Sequence, residues 1–234
     1  MLDNTEMKKP EESKPESLRR FSFHEHGILM DRTYRHMKHV YDISRPTFLA
    51  GRAQARKDAL KNGTPLICEV GCGTGRNLIL MAASPSGKNI KFTGFDVSLE
   101  MTGYAQARIC AAELHKQIEI KRQDFLSYSN NTNQSCSFLF SYSLSMTPNW
   151  KDLLRVAANA CRKNGGAIVT ADFSTMDDWP GWIRERLRKN LSYFHVYPRY
   201  ELVRFLENDE VFTNTEIKRT PKFGGYAAVL NVRF

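Results

Sequence analysis

Residues 67–77 read Ile67-Cys68-Glu69-Val70-Gly71-Cys72-Gly73-Thr74-Gly75-Arg76-Asn77. Three glycines alternate at 71, 73 and 75, after an apolar stretch of strand character and before a helical pattern. Without a Cβ, glycine lets the chain turn sharply and lets a ligand approach the backbone closely. Two nucleotide-binding readings of such a loop fail on its letters. A phosphate-cradling P-loop ends in Gly-Lys-Ser/Thr, whereas this one ends Gly75-Arg76-Asn77. A dinucleotide fingerprint would put its third glycine at position 76, which is Arg76, so the close helix–strand contact is lost.

Outward from the loop, strands and helices alternate. Residues 65–71, 90–98, 118–125, 136–146 and 165–173 are apolar, β-branched or aromatic runs that predict five buried strands. Helical patterns follow the glycine loop and cover 99–116, 150–163 and 179–208, with Pro180 suited to a first turn. The end, EIKRT at 216–220 and then GYAAVLNVRF at 225–234, predicts two more strands. Their connection is too short for a helix, so they form an antiparallel hairpin that closes the sheet. Residues 31–61 read as one or two helices broken near Ser44-Arg45-Pro46, because the residue before a proline avoids the helical region. The expected architecture is α/β: a seven-stranded, doubly wound, Rossmann-like sheet over 63–234. A helical N-terminal cap (24–62) and a polar, disordered tail (1–23) precede it. The active site is expected at the carboxyl ends of strands one, two and four.

The motif E-x-G-x-G-x-G, filled at every defined position by Glu69, Gly71, Gly73 and Gly75, resembles that of class I S-adenosylmethionine-dependent methyltransferases. The chemistry agrees with the resemblance. S-adenosyl-L-methionine has an ammonium and a carboxylate at one end and a ribose diol in the middle. The backbone of Gly71, Cys72, Gly73 and Gly75, with Glu69, suits the methionine end. Asp96, ending the second strand, is placed to accept both ribose hydroxyls. Asp124, closing the third, can accept from the adenine amino group, with Phe125 beside the ring.

The formal net charge is +9, from 34 Lys+Arg against 25 Asp+Glu. Residues 1–23 hold five acids and five bases. Residues 24–61 hold eight bases and four acids, and 183–205 six bases and two acids, so these two segments carry most of the excess. Such segments attract anionic partners: phosphate backbones, acidic lipid or a charged substrate. No run approaches the roughly 20 apolar residues of a membrane-spanning helix, and the polar start does not read as a secretory signal. Five cysteines (68, 72, 110, 136 and 161) form no CxxC pair, which favours reduced thiols and a cytoplasmic setting. His36 and His39 share a helical face, but no cysteine or acid completes a metal site, so no metal is expected.

Two further segments, Tyr34-Arg35-His36-Met37-Lys38-His39-Val40-Tyr41-Asp42-Ile43-Ser44-Arg45 and Ser141-Tyr142-Ser143-Leu144-Ser145-Met146-Thr147-Pro148-Asn149-Trp150, are more specific than the loop. With Ala171-Asp172-Phe173 and the 194–199 stretch, they resemble the bacterial diacylglyceryl-homoserine N-methyltransferases of betaine-lipid synthesis. The resemblance implies three methyl transfers to the amine of diacylglyceryl-homoserine, giving diacylglyceryl-trimethylhomoserine. It also implies a separate aminocarboxypropyl transferase that makes the lipid, and work at the inner membrane face without a spanning helix. Basic segments near Trp179, Trp182 and Phe194 suit such an anionic membrane surface.

The residue chemistry is compatible. An accumulating methylammonium favours aromatic faces, and Tyr142 is the first expected wall, with Tyr34, Tyr41 and Trp150 as further substrate contacts. The substrate carboxylate calls for a guanidinium, from Arg35, Arg45 or Arg199. His195 is the expected acceptor of the amine proton. Alternatives are another phospholipid or small amine as substrate, a nucleic-acid methyltransferase, or a non-catalytic binding module. Base-amino methylation goes with [DNS]-P-P-[YFW] after strand four, where this chain reads Ser141-Tyr142-Ser143-Leu144, so no nucleic-acid partner is expected.

Overall fold

The computed structural model of the chain describes residues 49–128, 134–193 and 196–234. The elements in chain order are α1 (Arg52–Lys61), β1 (Leu66–Val70), α2 (Arg76–Ala82), β2 (Lys91–Asp96), α3 (Leu99–Ala111), β3 (Ile118–Arg122), β4 (Cys136–Ser141), α4 (Trp150–Asn164), β5 (Gly166–Phe173), α5 (Gly181–Ser192), α6 (Leu202–Asn208), β6 (Glu216–Lys222) and β7 (Ala227–Arg233). The sheet order is β3-β2-β1-β4-β5-β7-β6. β1 to β5 are parallel, and β7 inserts antiparallel between β5 and β6. This is the seven-stranded doubly wound α/β architecture expected from the alternation. The strand order reverses between β1 and β4, the place where such sheets open a crevice at their carboxyl edge.

Period-two alternation along the central strands feeds two cores. Ile67 and Leu139 face one layer with Ala55 and Ala59 of α1 and Leu78 and Met81 of α2. Cys68, Val70, Phe138 and Phe140 face the other, against Leu153, Leu154 and Ala157 of α4 and Leu202 of α6. α1 therefore lies directly on the sheet. Its start is set by Gly51 at φ 86°, where a Cβ would stand 2.7 Å from Val229 Cγ2.

Two expected elements are shorter than their apolar runs. The fourth strand stops at Ser141, because Tyr142 turns to φ 59° and Leu144–Met146 form a 3₁₀ turn. The predicted helix over 179–208 is two helices, α5 and α6, with Pro198 in the non-helical segment between them. Pro180 caps α5 and accepts from the Ile183 N–H. All five cysteines are free thiols, and burial pushes those of Cys68, Cys72 and Cys161 upward in pKa, so they are inert packing residues. Among the described residues, no helix is long and apolar enough to cross a membrane.

Candidate active site

Gly71, Gly73 and Gly75 all adopt left-handed backbone, at φ 73°, 53° and 69°. The room they leave is specific: a Cβ on Gly71 would stand 2.6 Å from the Cβ of Ser143, and one on Gly75 3.3 Å from that of Ala105. The loop is held by its own amides. The Gly71 and Cys72 N–H groups both donate to Phe95 O at 2.8 and 3.0 Å, and the Gly75 N–H donates to Cys72 O. The Gly73 N–H donates to the Asp96 carboxylate at 2.8 Å. In this state these amides hold the loop, and the glycines contribute space.

The loop forms one wall of an open cleft at the carboxyl edges of β1, β2 and β4. The sequence-predicted residues Glu69, Gly71, Cys72, Gly73, Asp96, Asp124, Phe125 and Tyr142 all line it. Gly75 does not; it opens α2 behind the loop. Cys72 reaches the cleft mainly as backbone, since its thiol is buried against Gly94.

Each acid is oriented by partners. Glu69 is buried on β1 and accepts from Asn77 Nδ2 at 2.6 Å, while Asn77 Oδ1 accepts from Arg56 at 3.0 Å. Asp96 accepts from the N–H groups of Gly73 and Ser98 on its two oxygens, which locks its carboxylate at the cleft edge. Asp124 accepts from the Leu126 N–H, capping the 3₁₀ turn Phe125–Ser127. The Phe125 ring is itself a core residue, stacked on Tyr128 and edge-on to Phe95 and Phe138. It forms floor rather than a free-standing face.

Tyr142 lines the cleft, but its hydroxyl donates to the carbonyl of Ala50 at 2.8 Å. Burial pushes its pKa well up. The residue is a wall and a strut, unsuited to accepting a proton at neutral pH.

Two expected substrate contacts are corrected. Trp150 is buried in the opposite core, edge-on to Phe205 at 5.1 Å, because it begins α4 on the far face of the sheet. Arg199 is not at the cleft. Its guanidinium donates to the carbonyls of Leu144 and Thr147 at 3.0 and 2.8 Å, holding the loop after β4 from behind. Asp172, fully buried at the end of β5, holds the same loop by accepting from the Ser145 N–H at 3.0 Å. Tyr34, Arg35, Tyr41, Arg45 and His195 lie outside the described residues.

Arg52 is the site residue that sequence reasoning did not single out. It opens α1, lines the cleft, and donates from Nε to Ser141 Oγ at 3.2 Å. Its only sequence signal is a basic residue directly after Gly51. Phe95, Val97 and Gln123 complete the cleft between Asp96 and Asp124, and Met146 and Thr147 its far side. Among the described residues, no group of His, Cys, Asp and Glu could hold a metal.

Residues 67–165 match a family profile described as a methyltransferase domain, which is less than half of the chain. No curated protein matches the sequence. Solved structures do match the fold. An S-adenosylmethionine-dependent methyltransferase, SibL, in its apo form is 20% identical with TM-score 0.59, over 86% of this chain and 57% of that one. The mitomycin 7-O-methyltransferase MmcR is 15% identical with TM-score 0.63, over 88% and 60%. The chain thus spans under two thirds of the length of these two. A magnesium protoporphyrin IX methyltransferase from Synechocystis PCC 6803 with bound SAH is 15% identical with TM-score 0.61, over 89% and 99%. The seven-stranded sheet is a Rossmann-like fold of the kind seen in methyltransferases, and together with the methyltransferase-domain match over 67–165 it supports S-adenosyl-L-methionine as the cofactor.

The described residues fit that cofactor. The left-handed glycines leave backbone room at the methionine end, and carboxylates stand fixed at the ends of β2 and β3.

Proposed function

We propose that the protein is an N-methyltransferase that trimethylates the amine of diacylglyceryl-homoserine at an anionic membrane surface. When bound, S-adenosyl-L-methionine supplies a sulfonium methyl group for in-line displacement by an amine. Glu69 and the glycine loop hold the methionine end, Asp96 the ribose, and Asp124 with the Phe125 floor the adenine. The protein's remaining work is positioning: it must present a neutral amine along the methyl axis and keep water out.

The observation that carries the substrate class is the pairing of Arg52 with Tyr142 in the cleft. A guanidinium fork suits the homoserine carboxylate. An aromatic wall suits a nitrogen that loses hydrogen-bond donors as it gains methyl groups, because cation–π attraction persists without them. Arg52 also borders a depression shared with Phe223, on the side where an acyl-bearing substrate would leave the cleft. His195 is our proposed acceptor for the amine proton, and Tyr34, Tyr41, Arg35 and Arg45 are further proposed substrate contacts. The lipid itself would come from a separate aminocarboxypropyl transferase.

The test is a vesicle assay with methyl-labelled cofactor and diacylglyceryl-homoserine, phosphatidylethanolamine or tRNA, with products resolved by mass. Label in mono-, di- and trimethylated homoserine lipid supports the reading. Label confined to phosphatidylethanolamine, tRNA or a soluble amine overturns the substrate and leaves fold and cofactor standing.

A further inference from the structure

Between α5 and the β6–β7 turn lies an open groove of about 590 Å³, lined by Trp179, Trp182, Ile183, Leu187, Phe223 and Tyr226. Two of its rings face solvent: Trp182 is 70% exposed and Phe223 72%. Phe223 is costly twice over. Its backbone is left-handed at φ 46°, where glycine or asparagine is at ease, and its large apolar ring is hydrated. A residue unfavourable by both measures suggests a gain outside the folded chain.

The turn that carries Phe223 is braced. Trp179 Nε1 donates to Phe223 O at 3.0 Å, and the Trp179 ring stacks on Tyr226 at 5.6 Å. The Met176 N–H donates to Gly225 O at 2.8 Å. A Cβ on Gly224 would stand 3.1 Å from Trp179 Nε1, so the close approach requires glycine. The exposed ring is held out rather than left loose.

The surroundings say what it meets. α5 carries Arg184, Arg186, Arg188 and Lys189 against a single acid, Glu185, and none of its residues is buried. Bases around exposed aromatics complement an acidic lipid surface, with hydrocarbon for the rings and anionic headgroups for the guanidinium groups. The groove also leads to chemistry. Phe223 lines both it and the depression with Leu49 and Gly51, and Arg52 lines both that depression and the cofactor cleft.

We infer that the α5–β6/β7 groove seats lipid hydrocarbon at an anionic bilayer and orients the cleft so that a headgroup reaches it past Phe223 and Arg52. This rests on the lipid reading above, and it adds a site and an orientation. An acyl chain in the groove would leave its headgroup on the Arg52 side.

The test uses the full-length protein and phosphatidylglycerol vesicles with brominated acyl chains, which quench tryptophan only at hydrocarbon depth. The wild type should bind and be quenched. Trp182→Phe should still bind and be quenched less, with the remainder coming from Trp179 in the same groove. Trp182→Ala with Phe223→Ala should weaken vesicle binding about tenfold or more, from the apolar area lost, with S-adenosylhomocysteine affinity unchanged as the measure of folding. A wild type that binds the vesicles without tryptophan quenching, or vesicle binding that survives the double substitution, overturns the inference. So does a concentration-dependent dimer that shields Trp182 without lipid, since the groove would then seat a second copy. The vesicles contain no homoserine lipid, so vesicle binding here combined with no methyl transfer in the homoserine-lipid assay above refutes the substrate and not the groove.

Discussion

The Tyr142 hydroxyl donates to the Ala50 carbonyl at 2.8 Å, joining the residue just past β4 to the one just before α1. These positions are 92 residues apart, and the bond is buried. It ties the wall of the cleft to the segment that carries Arg52. Replacing Tyr142 by Phe orphans a buried carbonyl and should cost about 1–3 kcal/mol of stability, read by denaturant unfolding. Because the hydroxyl is a strut, turnover should persist. Loss of turnover with unchanged stability would instead make the hydroxyl a chemical participant.

Gly71 faces two penalties at once if it becomes alanine: left-handed backbone and a Cβ 2.6 Å from that of Ser143. The strands β1 and β4 are fixed neighbours, so neither loop can yield cheaply. Gly71→Ala should destabilise the fold by about 2–4 kcal/mol and remove measurable S-adenosylhomocysteine binding by calorimetry.

Asp96 accepts one N–H on each carboxylate oxygen. An asparagine there must aim its NH₂ at an N–H, so Asp96→Asn breaks loop geometry as well as the ribose contact. Cofactor affinity should fall about tenfold to several hundredfold. Asp124→Asn should weaken it less, since the one cap bond, from the Leu126 N–H, can be kept by the amide oxygen.

Asp172 is buried and its carboxyl is pushed up to about 6, mainly by desolvation, opposed by bonds from Ser145 and Phe173 and by the Arg199 charge. A raised carboxyl is protonated in the folded state over a range where the unfolded chain has already released its proton. Its stabilising contribution is therefore full below about pH 4 and is lost as pH rises toward 6, by about 3 kcal/mol. Asp172→Asn should flatten that part of the stability–pH curve, as measured by unfolding between pH 4 and 7. It should also loosen the loop that carries Met146 and Thr147.

Arg52 and Arg199 separate cleft chemistry from loop support. Arg52→Ala should raise KM for a carboxylate-bearing lipid about tenfold or more, with stability almost intact. Arg199→Ala, which strips two carbonyls of their donor, should lower stability by about 1–3 kcal/mol and reduce kcat through the displaced loop. If Arg52→Ala instead weakens S-adenosylhomocysteine binding and leaves the lipid KM alone, the guanidinium serves the cofactor's carboxylate.

Much of this was legible in the letters. The alternation of apolar runs with helical patterns defines the parallel sheet, and the short 216–234 hairpin defines its antiparallel edge, because both depend on local period and loop length. Glu69, Asp96 and Asp124 were legible for the same reason: each ends a strand, and all strands of a parallel sheet end on one edge. The overlong fourth strand was not. Leu144 and Met146 are apolar whether they extend a strand or turn back over it, and the left-handed backbone of Tyr142 has no composition signal.

The side-chain roles that failed did so through direction. Trp150 and Arg199 were expected to contact the substrate, yet one begins a helix on the far face and the other reaches the loop from behind. The sequence by itself determined the sheet, its carboxyl-edge cleft and the class of cofactor, since these follow from periodicity, glycine placement and strand-end acids. Only the tertiary structure decided that Arg52 enters the cleft and that Tyr142 is a strut. It also decided that Phe223 is held out beside a basic helix. Each depends on contacts between segments tens of residues apart, which no local pattern encodes.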